Sequence, residues 1–250
     1  MKHLFFLWLL LPQISAAQLN KSDSLGLKTR LTLTGFWQEG NAEVLVFRGK
    51  ANVSVRTGQW MFKTQNAYLY QEFFRQKADE DIFSRNFVYF SPKRRIYPFM
   101  LGFVATNFRR QINLRYFVGA GLTWQIIRRK AQTLKLALSG EYEQSYFAQD
   151  KFNQPIFNGK STITTWRATV WLLGKFSLSK HLSWHYESYV QPSLVHAGNM
   201  RWQIETGLET PLWRFVSLRV NYLYMYEKLV VVNERPQDSF LTFGVNIQLF

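Results

Sequence analysis

Residues 45–56 read LVFRGKANVSVR. Leu45, Phe47, Gly49, Ala51, Val53 and Val55 alternate with Val46, Arg48, Lys50, Asn52, Ser54 and Arg56. Successive side chains of a β-strand point to opposite faces, so this stretch reads as one long strand with an oily face and a wet face. The same period returns in residues 134–143. There Leu134, Leu136, Leu138, Gly140 and Tyr142 oppose Lys135, Ala137, Ser139, Glu141 and Glu143. In residues 201–209, Arg201, Gln203, Glu205, Gly207 and Glu209 oppose Trp202, Ile204, Thr206 and Leu208. In residues 241–249, Leu241, Phe243, Val245, Ile247 and Leu249 oppose Thr242, Gly244, Asn246 and Gln248.

Working outward from these anchors, the pattern predicts twelve strands: 29–39, 43–57, 60–71, 82–90, 96–107, 112–127, 133–146, 161–178, 182–193, 200–210, 215–227 and 239–250. Strands 60–71 and 82–90 alternate poorly, which leaves their facing open. Every second connection is short, and those of the other set tend to be longer, notably 72–81, 147–160 and 228–238. Gly40-Asn41 suits a tight hairpin, since both residue types tolerate positive φ. Most strands reach ten residues or more, the length a tilted strand needs to cross a membrane.

A soluble β-sandwich or barrel would write the same alternation. Two features favour a membrane barrel. The polar faces carry Gly, Ser, Thr, Asn and paired charges, as a crowded wet interior requires. Aromatic residues gather near strand ends, at Trp37, Trp60, Tyr97, Trp124, Tyr142, Trp202, Tyr224 and Tyr226, as in the girdles of an outer-membrane barrel. The expected fold is all-β, an antiparallel transmembrane barrel of about twelve strands with its short turns in the periplasm.

The remaining composition agrees. The 250 residues hold 43 aromatics, too many for a disordered chain, and no cysteine, which excludes disulfides and thiolate metal sites. Residues 1–17 read as a secretory signal peptide: Lys2, an apolar run from Leu4 to Leu11, then Ser15 and Ala17 at a cleavage spacing. Residues 18–28 are then a short periplasmic segment, and 29–250 form one barrel domain. The terminal Phe250 is the residue type that barrel-assembly machinery reads in many outer-membrane proteins, although it is out of phase with the apolar face of its strand.

Three stretches carry a family resemblance: Leu31-Thr32-Leu33-Thr34-Gly35 through Gly40-Asn41, Phe83-Ser84-Arg85-Asn86, and Arg115-Tyr116-Phe117-Val118-Gly119-Ala120-Gly121-Leu122. With them the chain resembles the salt-induced outer-membrane protein family, a domain-of-unknown-function group. The resemblance implies an outer-membrane barrel and supplies neither a catalytic residue nor a settled function.

Candidate functional residues come from the charge pattern. The formal charge is +15. A basic chain often binds nucleic acid, but a secreted one with dispersed bases does not fit that partner. Lys93-Arg94-Arg95 and Arg128-Arg129-Lys130 cluster in turns, where they read as solubility and anchoring near anionic outer-membrane lipid head groups rather than as a protein-docking site. The other bases are single residues on wet faces: Arg48, Lys50, Arg56, Arg115, Lys135, Arg167, Arg201 and Arg219. They face Glu141, Glu143, Glu187, Glu205, Glu209 and Glu227 across the expected lumen. A carboxylate in a narrow barrel is costly unless paired. The set is therefore either a salt-bridge network that fills and stiffens the barrel or the lining of a small anion-preferring pore.

Catalytic signals are weak. Beyond the leader the histidines are His181, His185 and His196. Ser183 and His185 share a face with no orienting third group and no G-x-S-x-G motif, which leaves envelope-lipid hydrolysis a distant third reading. Asp79-Glu80-Asp81 reads as a solvated loop tip, and no cofactor or metal site is expected. Gly119-Ala120-Gly121 precedes no helix, so it reads as relief of crowding or a source of barrel curvature. The function expected is that of a structural or envelope-stress barrel without catalytic activity.

Overall fold

Alternation over this many residues commits the chain to strands whose two faces meet different media, and the structure closes them on one another. The computed structural model describes residues 26–40, 43–129, 131–213 and 215–249. The leader at 1–17, most of the segment 18–28, Asn41, Lys130 and Phe250 lie outside the described residues.

Twelve strands run in order: β1 (Lys28–Gln38), β2 (Val44–Thr57), β3 (Trp60–Phe73), β4 (Gln76–Phe90), β5 (Ile96–Asn107), β6 (Ile112–Arg128), β7 (Gln132–Phe147), β8 (Thr162–Ser177), β9 (Ser183–Pro192), β10 (Met200–Pro211), β11 (Val216–Glu227) and β12 (Gln237–Leu249). A 3-10 turn, Pro155–Phe157, lies between β7 and β8. Each strand pairs antiparallel with its sequence neighbours, and β1 pairs with β12 to close the barrel. That closing seam is short. Among the described residues it joins Thr29–Leu33 to Val245–Leu249, five residue pairs, where β2 and β3 share fourteen.

The oily face points outward, with Val118, Leu138, Leu208, Leu241 and Phe243 among its exposed residues. Aromatics ring both ends. Trp60 packs on Phe90 at the end carrying the short turns, with ring centroids 4.9 Å apart. Trp202 stacks on Tyr224 at the other end, 5.0 Å apart. Tyr97 departs from this arrangement. It points inward, is 2% exposed and meets Tyr89 edge-on, because the inward parity of β5 runs through Tyr97, Phe99, Leu101 and Phe103.

Strands β3 and β4 explain their poor alternation. Thr64, Asn66, Ser84 and Asn86 occupy the outer face, where Asn66 donates to Thr64 and Asn86 to Ser84, each at 3.0 Å. Polar residues thus stand on both faces of these two strands. The expected long loop at 72–81 is absent: β3 and β4 continue upward as a hairpin turned by Phe74 and Arg75, both at positive φ (48° and 61°). A two-residue turn of that hand matches the strand twist. Asp79-Glu80-Asp81 accordingly lies on β4, not at a loop tip. Asp79 is buried and ion-paired with Arg109 at 2.6 Å, and Asp81 accepts the Phe108 amide at 3.0 Å.

The interior is not uniformly polar. Phe87, Phe99, Leu101, Phe117, Ala137 and Trp171 form a buried cluster inside the wall made by β4 to β8. Strand β6 approaches β7 closely beside this cluster. A Cβ added at Gly121 would lie 2.2 Å from the Leu138 carbonyl oxygen, and one at Gly119 would lie 2.4 Å from that of Gly140. Glycine is the residue that permits so close a backbone approach.

Candidate functional site: the charged interior

The strand register decides which charges enter the lumen. On β2 the inner positions are Arg48, Lys50 and, toward the short-turn end, Arg56. Arg48 lies 5.0 Å from the centroid of the Phe240 ring, and Lys50 reaches Glu205 at 3.3 Å. Arg56 forms no ion pair among the described residues. Since β2 and β10 are not neighbours, the Lys50–Glu205 pair spans the lumen. Arg219 adds a second contact to Glu205 at 3.5 Å. Arg85 on β4 likewise crosses to Glu187 on β9 at 2.7 Å.

Glu143 is the centre of a second, deeper network. Arg167 forks onto its carboxylate at 2.9 and 3.0 Å. Arg201 binds the same carboxylate, and Arg115 approaches it at 3.7 Å. Arg115 also grips Glu227 bidentately, at 2.7 and 3.1 Å. Arg167 is 1% and Glu143 2% exposed. Two-oxygen, two-nitrogen forks are the strong form of this bond and fix geometry as well as charge. Glu141, fully buried, accepts from Ser139, Thr169 and Gln191. Glu209 accepts from Ser217 at 2.7 Å and pairs with Arg30 at 3.6 Å. Lys135 meets the Tyr97 hydroxyl at 3.3 Å.

All fourteen candidates therefore sit on inner strand positions, and two transluminal ion-pair groups gather many of them, while Arg48, Arg56 and Lys135 have no ion pair among the described residues. Five further bases that line the lumen were not among the candidates: Lys28, Arg30, Lys63, Arg85 and Lys175. Lys175 shares the parity of Arg167, already assigned inward on the same strand. Lys63 and Arg85 were hidden by the polar outer faces of β3 and β4. Parity also gave no sign of Arg109 and Arg110, which lie in the β5–β6 turn. Arg110 bridges Asp238 at 2.7 Å and Glu227 at 3.6 Å.

The long loops fold over the deeper network. Phe152 of the β7–β8 loop bridges to Val231 of the β11–β12 loop. Both pack with Ile112, Phe147, Phe157, Ile163 and Leu229 in a second buried cluster. Beneath lie two cavities. One of about 480 Å³ opens among the short-turn ends of β1 to β3, β7 and β8; one of about 200 Å³ lies nearer the long loops. They share Arg48, Lys50, Phe83, Arg85 and Glu205 in their walls. Ser183 directs its hydroxyl to the Glu209 carbonyl at 3.4 Å and makes no hydrogen bond to His185 among the described residues.

A closed antiparallel barrel with an apolar exterior, aromatic girdles and a charged lumen is the fold of outer-membrane β-barrels. Solved structures of that class are similar to it. The NanC porin has a TM-score of 0.50 at 10% identity, over 89% of this chain and 100% of that one. The translocator domain of the autotransporter NalP from Neisseria meningitidis has a TM-score of 0.47 at 9% identity, over 92% and 90%. An anion-selective porin from Comamonas acidovorans gives 0.43 at 7% identity, over 90% and 99%. No curated protein matches the chain. The chain belongs to the family described as "Protein of unknown function, DUF481", which matches residues 31–248.

Proposed function

We propose that this protein is a structural barrel of the Gram-negative outer membrane, shut toward the outside by its own side chains and loops, and without a catalytic role. The observation that carries this reading is Glu143. Its three arginine partners come from β6, β8 and β10, so the network bridges a large part of the barrel circumference. The loop cluster around Phe152 and Val231 seals the same side from above. Such a lumen resists deformation but offers no wide path. The exposed bases at Lys93 to Arg95, together with Arg128 and Arg129, lie in the short turns, where anionic head groups attract them.

Planar-bilayer conductance of the folded protein under a salt gradient tests this. The expected result is a heat-modifiable, folded barrel with no steady conductance. Steady conductance with an anion-favouring reversal potential would replace the closed reading by the second one, a narrow anion-preferring pore. That alternative is favoured by the two cavities meeting at Arg48, Lys50 and Arg85.

A further inference from the structure

The cavity at the short-turn end carries far more positive charge than the barrel itself neutralises. Nine bases line it, against Glu187 and Glu205, and one of the nine, Arg30, pairs with Glu209 beside it. Those two carboxylates are already engaged, Glu187 by Arg85 and Glu205 by Lys50 and Arg219. Lys63, Lys135 and Lys175 have no carboxylate partner among the described residues, and Lys135 reaches only the Tyr97 hydroxyl.

These three lysines line the same cavity, each near a strand end. Lys63 is three residues into β3 and Lys135 three residues into β7, while Lys175 is two residues before the end of β8. All three strand ends adjoin the short turns, so the three lysines cluster in the short-turn part of the cavity. Low-dielectric walls focus the field of such a cluster and concentrate counter-ions within it. The mutual repulsion of the lysines is relieved most by one compact ligand bearing several negative charges, since it neutralises several of them at once. Lysine is well suited to such a ligand, because its ammonium is a point charge on a flexible stem, able to converge on clustered oxygens.

We propose that this chamber is a binding site for a compact, multiply charged anion with clustered phosphate-like groups, entering from the short-turn side. Soluble oligophosphates and phosphorylated lipid head groups share that chemistry. The sheet is closed around the chamber, which favours the soluble source. The site does not require the outer half to be shut, so it stands or falls apart from the closed-barrel reading.

The test is calorimetric titration of the folded, detergent-solubilised protein with sodium tripolyphosphate, inorganic monophosphate and, separately, vesicles containing an anionic phospholipid. One tripolyphosphate per barrel is expected, bound at least tenfold more tightly than monophosphate. The double variant K63Q/K175Q is expected to weaken tripolyphosphate binding at least tenfold with unchanged heat-modifiable migration. The variant R128Q/R129Q, in an exposed turn, controls for surface charge and is expected to bind as the parent does. Three results overturn the proposal: no binding of tripolyphosphate, equal binding by K63Q/K175Q, or loss confined to R128Q/R129Q. Binding to vesicles alone would likewise overturn the soluble-anion site. A steady bilayer conductance accompanied by tripolyphosphate binding that K63Q/K175Q removes would refute closure and uphold the site.

Discussion

Changing Glu143 to alanine is expected to destabilise the barrel by about 3–5 kcal/mol, the range for removing one member of a buried ion pair. The carboxylate holds Arg167 and Arg201 directly and faces Arg115 at 3.7 Å. Its loss leaves three guanidinium groups close together in a region where Glu143 and Arg167 are almost fully enclosed. Glu227 still neutralises Arg115, so the penalty falls on Arg167 and Arg201. Glu143→Gln keeps the shape and a carbonyl acceptor but loses the charge, and is expected to cost nearly as much. The measurement is urea unfolding in detergent, read as loss of the compact, heat-modifiable band. The reference is Glu43→Ala, which removes the exposed Arg75–Glu43 pair and is expected to change stability by less than about 1 kcal/mol. Equal behaviour of the Glu143 and Glu43 variants would show that the central network is not what holds the interior.

The second large effect is expected at Gly121. A Cβ there meets the Leu138 carbonyl oxygen at 2.2 Å, the Ser139 Cβ at 2.7 Å and the Phe99 ring at 2.8 Å. The first of these is backbone of the paired strand and cannot swing aside. Gly121→Ala must push β6 away from β7, with a cost at or above the ~1–3 kcal/mol of ordinary overpacking. Gly121→Val is expected to yield no folded barrel. Gly140 supplies the control, since a Cβ there meets nothing within 4 Å. Gly140→Ala is expected to fold normally, because it adds a methyl group on an open face and lowers the entropy of the unfolded chain. Normal folding of Gly121→Val would show that the close approach of β6 and β7 is not required.

The contrast between these sites shows how far a sequence of this class can be read. Lipid outside and water or charge inside impose a period of two on every membrane-crossing strand. The positions of Arg48, Glu143 and Glu205 on the inner face follow from parity alone. Parity lost its hold where that boundary condition lapses. The upper part of β4, QKADED at residues 76–81, stands beyond the apolar belt and looks like a loop because nothing there must be oily. On β5 both faces are apolar, so inward Tyr97, Phe99 and Phe103 were indistinguishable from girdle residues, and the aromatic half of the lumen went unseen. Nor does parity say which arginine meets which carboxylate. Lys50–Glu205 and Arg85–Glu187 join strands far apart in the sheet, and such pairs depend on barrel diameter and stagger.

The short β1–β12 seam bears on the order of events during folding. Among the described residues, every other pairing joins hairpin neighbours over a longer register than the seam's five pairs, and even β4–β5 joins seven. Bringing the first strand to the last closes a loop of nearly the whole barrel, at an entropic cost of about 5 kcal/mol. Few seam hydrogen bonds offset that cost. Closure is therefore the late step, taken once the hairpins have formed and transluminal pairs such as Lys50–Glu205 can draw the two halves of the sheet together. The pairing sits at the short-turn end, so the barrel is laced from its base, and the base of the wall between β1 and β12 is where it opens first when it unfolds.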